Sequence, residues 1–203
     1  MIKGLYAVTP DIQDTQLLCD MVTAAVQGGA SVVQYRNKQA GAALQHEQAS
    51  ALLPICRQYK VPFIVNDDVA RCQLLDADGV HLGGTDGDIA AARNLLGADK
   101  IIGASCYNRF DLAEQAKAQG ASYVAFGACF SSSTKPNAPV ASLDLFAQAK
   151  QLNLPTVAIG GITLANARLA KQAGADAIAV INALFGSQDI EKAATEFTQL
   201  FNI

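Results

Sequence analysis

The stretch Gly120-Ala121-Ser122-Tyr123-Val124-Ala125-Phe126-Gly127-Ala128-Cys129-Phe130-Ser131-Ser132-Ser133-Thr134-Lys135 decides the fold, because a helix end, a strand and a polar loop follow one another in it. Gly120 can take the left-handed backbone conformation that closes a helix. Tyr123 to Phe126 form a short apolar run, the pattern of a strand buried on both faces. The run breaks at Gly127 into small hydroxyl residues and ends on Lys135. Hydroxyls, free backbone N–H groups and one cation just past a strand suit phosphate oxygens. The same composition also suits a plain polar surface loop, so the other strand ends must decide between the two.

The glycine punctuation recurs at Gly29-Ala30 and Gly174-Ala175, each just before a further β-rich run. The runs are Gly4–Val8, Ser31–Tyr35, Pro62–Val65, Gly79–Leu82, Lys100–Ala104, Tyr123–Phe126, Thr156–Ile159 and Ala177–Val180. Between them lie residues at helical spacing, such as Leu17, Leu18, Met21, Val22, Ala25 and Val26. Eight β-α units in 203 residues predict a parallel eight-stranded (β/α)8 TIM barrel, a single α/β domain over residues 1–203. An open doubly wound sheet is the alternative; no Gly-x-Gly-x-x-Gly follows the first strand to favour it.

A composition of 51% hydrophobic and 16% charged residues suits a compact soluble protein with a full core. The net charge of -3 argues against a general nucleic-acid binder, whose footprint is basic, but leaves room for a local cationic pocket. No apolar run approaches the roughly 20 residues that span a bilayer, and the N-terminus lacks a signal-peptide pattern, so a cytoplasmic protein without membrane contact is expected. A homo-oligomer is left open. The five cysteines show no CxxC pair, which speaks against zinc. Four of them read as small core residues. Cys106 lies near a strand end, but no histidine stands beside it in sequence to make it a nucleophile.

In such barrels function collects at the C-terminal strand ends. Strand two ends Gln34-Tyr35-Arg36-Asn37-Lys38, and alternation puts Gln34, Arg36 and Lys38 on one face. Two cations there call for an anion. Strand three ends Asn66-Asp67-Asp68, and strand four ends His81-Leu82-Gly83-Gly84-Thr85-Asp86. Asp68 is expected to cap the next helix. Asp67 and Asp86, on neighbouring strands, would repel unless a cation lay between them, and Mg²⁺ favours such carboxylates together with phosphates. His81 can be either structural or catalytic; His46 reads as a surface residue. Strand five ends at Ser105, strand seven at Gly160-Gly161 and strand eight at Ile181-Asn182. Loops after strands seven and eight often hold a phosphate on backbone N–H groups. Two anionic regions result, as two phosphorylated substrates would require.

Taken together, Gln34-Tyr35-Arg36-Asn37-Lys38, Asn66-Asp67-Asp68, Asp78 to Gly83 with Asp86, Gly103-Ala104-Ser105, Thr134-Lys135 and Ala158 to Ile162 resemble the thiamine phosphate synthase family along nearly the whole chain. The resemblance implies a transferase that joins hydroxymethylpyrimidine diphosphate to a thiazole phosphate, releasing pyrophosphate. It implies that the Gln34 to Lys38 segment, with Tyr35 and Asn37, lines the substrate site, and that Gln34 and Asn66 hold the aminopyrimidine. Arg36, Lys38, Ser105 and Lys135 would hold the diphosphate, and Asp67 and Asp86 would ligate Mg²⁺. Ser132, Ser133, Thr134, Gly161, Ile181 and Asn182 would bind the thiazole phosphate. The chain departs from the family pattern at Gly84, Ala128, Ser131 and Asn182. Two rivals remain: a thiazole tautomerase, which needs a proton-transfer residue, and a non-catalytic barrel that binds a thiamine precursor.

Overall fold

Each apolar run becomes one strand of a closed barrel. The computed structural model describes residues 2–84, 87–131 and 140–201. The strands are β1 Gly4–Val8, β2 Val32–Tyr35, β3 Phe63–Asn66, β4 Gly79–Gly83, β5 Ile101–Tyr107, β6 Tyr123–Phe126, β7 Thr156–Ile159 and β8 Ala177–Val180. Every strand pairs in parallel with its sequence neighbour, and β1 closes on β8. That closure removes the open-sheet alternative. The helices are α1 Thr15–Gln27, α2 Ala42–Tyr59, α3 Val69–Leu74, α4 Ile89–Leu96, α5 Phe110–Ala118, α6 Asp144–Ala149, α7 Ala167–Gln172, α8 Asn182–Phe185 and α9 Ile190–Gln199. Asp14, Asp68, Asp88 and Asp189 each accept a backbone N–H at a helix start, which satisfies donors the helix itself leaves unpaired. Strand β5 runs beyond the expected Ala104 to Tyr107, with a register shift between Ser105 and Tyr107.

Alternation along the strands sorts side chains into two layers. Leu5, Ala7, Val33, Tyr35, Phe63, Val65, Val80, Ile102, Val124 and Phe126 face outward and pack against the helices. Tyr6, Val8, Val32, Ile64, Tyr123, Ala125, Val157 and Ala177 fill the interior. The interior is not wholly apolar. Tyr6 Oη and Tyr123 Oη lie 2.7 Å apart, and Tyr123 Oη lies 2.8 Å from His81 Nδ1. His81 Nε2 lies 2.8 Å from Ser105 Oγ, at the C-terminal end of β5. Gly103 makes this possible: a Cβ there would stand 2.1 Å from Tyr123 Cζ, so only glycine lets the phenol ring cross the barrel.

Burial disfavours the charged imidazole and lowers the His81 pKa from its ordinary 6.5 to about 4. The unfolded chain therefore binds a proton between those two values that the folded chain does not. Stability must fall as pH drops through this window, and the loss is complete below the folded value. Between near pH 7 and near pH 5 the loss from His81 amounts to about 2 kcal/mol. Urea unfolding of the wild type and of His81→Gln at both pH values checks this; the substitution should flatten the pH slope by about that amount.

Candidate active site

At the β2–β3 side of the barrel mouth, polar groups join end to end. Gln34 is buried, and its Nε2 donates to Asn66 Oδ1 at 3.0 Å. Asn66 Nδ2 donates to Asp67 Oδ2 at 2.6 Å, and Lys38 Nζ lies 3.2 Å from the same oxygen. Asp67 has a left-handed backbone, φ 60°, a conformation that aspartate tolerates better than most side chains and that recurs at functional sites. Its neighbour Asp68 points the other way and accepts from Arg71 N at 2.7 Å, the helix cap expected of it. Two adjacent aspartates thus take opposite tasks through one unusual torsion.

The cations of the 36–38 segment are held by the loop after β1. Thr9 Oγ1 donates to Arg36 O at 2.9 Å and accepts from Arg36 N at 2.8 Å. Asp11 accepts from Lys38 N at 2.8 Å and lies 3.3 Å from Arg36 Nη1. Asp11 lies three residues past the end of β1, and nothing in its sequence neighbourhood marks it. Tyr35 and Asn37 turn away from the mouth. Tyr35 Oη donates to Gln48 Oε1 at 2.9 Å, and Asn37 Nδ2 donates to Gln48 Oε1 at 3.0 Å and to Ile12 O at 2.8 Å. Their side chains pin the β2–α2 loop to α2. Strand parity explains this, since Tyr35 belongs to the outward set. Gln48 is fully buried on α2, and nothing in its sequence neighbourhood marks it.

On the β4–β5 side, Ser105 is half-buried and His81 lies behind it. Tyr107, exposed at the rim with φ 53°, lays its hydroxyl over Gly84, where a Cβ would come within 2.6 Å of it. Glycine at 84 and tyrosine at 107 therefore fit together, which gives the Gly84 departure a steric reason. The Cys106 thiol faces outward and is buried, and its pKa is pushed up to about 12, so it stays protonated and is a poor nucleophile.

On the β7–β8 side, Gly160 and Gly161 both have positive φ, 86° and 66°. A Cβ on Gly161 would stand 2.3 Å from Phe130 O, and one on Gly160 2.6 Å from Ala128 Cβ. Cys129 N donates to Ile159 O at 2.8 Å and Phe130 N to Gly160 O at 3.1 Å. The glycines thus let the start of the loop after β6 lie directly on the end of β7, a requirement beyond the anion approach expected of them. Asn166 Nδ2 ties off Gly161 O at 2.8 Å. Ile181 packs against the interior cluster, and Asn182 opens the short α8.

Asp86, Ser132, Ser133, Thr134 and Lys135 lie outside the described residues. Among the described residues no group of three or more His, Cys, Asp or Glu is arranged to hold a metal ion. The mouth does present Asp67, a hard oxygen donor beside the cations of the 36–38 segment. That donor chemistry fits Mg²⁺, which is commonly held by one or two carboxylates together with substrate phosphates.

The family model described as "Thiamine monophosphate synthase" matches residues 5–184. A relative from Methylobacillus flagellatus named thiamine-phosphate synthase is 60% identical over 201 residues, covering 99% of this chain and 96% of its own. Another of the same name, from Chromobacterium violaceum, is 55% identical over 193 residues, covering 95% and 93%. A solved thiamine phosphate pyrophosphorylase from Pyrococcus furiosus superposes with a TM-score of 0.87 at 34% identity, covering 98% of this chain and 95% of that one. With a barrel of this topology, a polar mouth on the expected strands and a match over most of its length, this chain belongs to the thiamine monophosphate synthase family.

Proposed function

We propose that this chain is a transferase that condenses hydroxymethylpyrimidine diphosphate with a thiazole phosphate, or its carboxylate, to give thiamine phosphate and pyrophosphate. The observation that carries the reading is the string Gln34, Asn66, Asp67 and Lys38, joined at one barrel mouth beside Arg36, in a chain 60% identical to a thiamine-phosphate synthase. Gln34 donates one of its two amide N–H groups to Asn66, and its side-chain carbonyl is then placed to accept from an exocyclic amine. Arg36 keeps N–H groups beyond the one aimed at Asp11, and Lys38 is more than half exposed. These two, with Ser105 and Lys135, bind the diphosphate. Asp67 and Asp86, together with diphosphate oxygens, would hold Mg²⁺, whose positive charge stabilises a pyrophosphate leaving group.

The C–O bond to the diphosphate breaks and takes its electron pair to pyrophosphate. The electron-rich aminopyrimidine stabilises the cation that remains, and the thiazole nitrogen lone pair forms the new C–N bond. The cationic side chains act most strongly on the charge that builds on the leaving group. No side-chain nucleophile takes part, in keeping with the protonated Cys106 thiol. Gly161, Ile181 and Asn182, with Ser132, Ser133 and Thr134, receive the thiazole phosphate and hold its nitrogen in line. A tautomerase would need a proton-transfer residue poised near neutrality, and the one buried histidine is held well below that. No described helix is long and apolar enough to cross a membrane. Soluble phosphorylated substrates and one domain over residues 1–203 fit a cytoplasmic enzyme.

Purified protein should release pyrophosphate only with both substrates and Mg²⁺, with equimolar thiamine phosphate, and EDTA should stop it; release from the pyrimidine diphosphate alone would refute the condensation. Lys135→Ala should lower kcat by about 100-fold through loss of a leaving-group partner; near-normal turnover removes Lys135 from the site. Asp67→Asn should raise the Mg²⁺ concentration for half-maximal rate by about tenfold, and an unchanged magnesium titration places the metal elsewhere. Gly161→Val should raise KM for the thiazole phosphate and lower Tm, because its side chain must displace the Phe130 carbonyl. A change in the pyrimidine KM alone would reverse the two subsites.

A further inference from the structure

The interior chain Tyr6, Tyr123, His81 and Ser105 enters the mechanism at one end only, yet it places three polar side chains where apolar ones would pack. Tyr6 and Tyr123 are completely buried and His81 nearly so. A buried O–H without an acceptor costs on the order of 1–3 kcal/mol, so every proton in the chain must have a destination. Counting them from the closed end decides their direction.

Among the described residues, Tyr123 Oη is the hydrogen-bond partner of Tyr6 Oη, at 2.7 Å. The Tyr6 proton therefore goes to Tyr123. Tyr123 Oη accepts it and sends its own proton to His81 Nδ1, 2.8 Å away. An imidazole that accepts at Nδ1 carries its hydrogen on Nε2. Nε2–H then donates to Ser105 Oγ at 2.8 Å. The Ser105 proton is not consumed by the chain, and Ser105 is the one member only half-buried. The reverse order fails at its far end, because Tyr6 would hold a proton with no acceptor among the described residues. A doubly protonated His81 fails too, since Tyr123 would then receive two donors and have nowhere to send its own hydrogen. Gly103, whose missing side chain admits the Tyr123 ring, shows that the backbone is shaped around this chain.

We infer that Tyr6, Tyr123 and His81 form a one-way hydrogen-bond relay that fixes the Ser105 hydroxyl as a donor toward the barrel mouth, making Tyr123 and His81 positioning residues for the diphosphate. The direction matters because diphosphate oxygens only accept. With the relay reversed, Ser105 would turn its proton to His81 and present lone pairs to the anion. With the relay as counted, the donor is already oriented before substrate arrives, and no reorganisation is needed as charge develops. The inference rests on the proposed role of Ser105 in diphosphate binding.

The test begins on the full-length, ligand-free protein labelled with 15N-histidine. The chain has two histidines, and His46→Gln identifies the His46 signals. Long-range 1H–15N correlation should show His81 protonated on Nε2 and bare on Nδ1. Tyr6→Phe should leave that tautomer in place, because Tyr123 still donates, whereas Tyr123→Phe should mix or reverse it. Calorimetry with magnesium pyrophosphate supplies the second readout: Ser105→Ala and Tyr123→Phe should each weaken binding by about tenfold. A proton on Nδ1, or an imidazolium near neutral pH, in the wild type overturns the relay without recourse to any variant. The expected tautomer with pyrophosphate binding indifferent to Ser105→Ala overturns the relay's role in the site. The expected tautomer and binding without thiamine phosphate formation faults the proposed condensation and supports the relay.

Discussion

Closure of eight short parallel strands imposes a parity on every residue they carry. A side chain on a barrel strand points either into a narrow interior or out against a helix, and shifting by one residue exchanges the two. Gln34 and Asn66 have inward parity and meet at the mouth, while Tyr35 has outward parity and meets Gln48 on α2. The cationic segment that follows β2 depends on both sets. Its side chains reach the mouth because Asn37 and Tyr35 anchor its back to the helix layer and Thr9 and Asp11 hold its front to the loop after β1.

Parity also makes polar groups in the interior expensive, and the barrel meets that cost by joining them. Among the described residues no buried side-chain nitrogen or oxygen lacks a hydrogen-bond partner. A network satisfied throughout is rigid, since each member can turn only by stranding another. The chain from Tyr6 to Ser105 carries this rigidity from the barrel floor to its rim. Its placement depends on Gly103, the one interior position of β5 where a side chain would collide with the Tyr123 ring.

The two halves of the mouth differ in what holds them. On the β2–β3 side, charged and amide side chains bond to one another before any ligand is present, so Lys38 is paired with Asp67 and Arg36 with Asp11. On the β7 side the contacts are between backbones, and the glycines at 160 and 161 bring the start of the loop after β6 onto the end of β7. The first arrangement presents charge, and the second is set by the close fit of two backbones.

Eight apolar runs, their glycine punctuation and the residues at their ends were legible in the sequence, because strand periodicity and helix closure are local properties of the chain. The barrel, its strand bounds to within a few residues and the helix-capping role of Asp68 follow from them. Asp11 and Gln48 were not legible, since Asp11 acts on a segment 25 to 27 residues distant and Gln48 acts across a bend of the β2–α2 loop, contacts that exist only once β1, β2 and α2 are packed. The sense of the Tyr6–Tyr123–His81–Ser105 chain was equally out of reach. Four strands contribute one residue each, and only their closure brings those residues to hydrogen-bond distance in a buried space, where the protons must be accounted for.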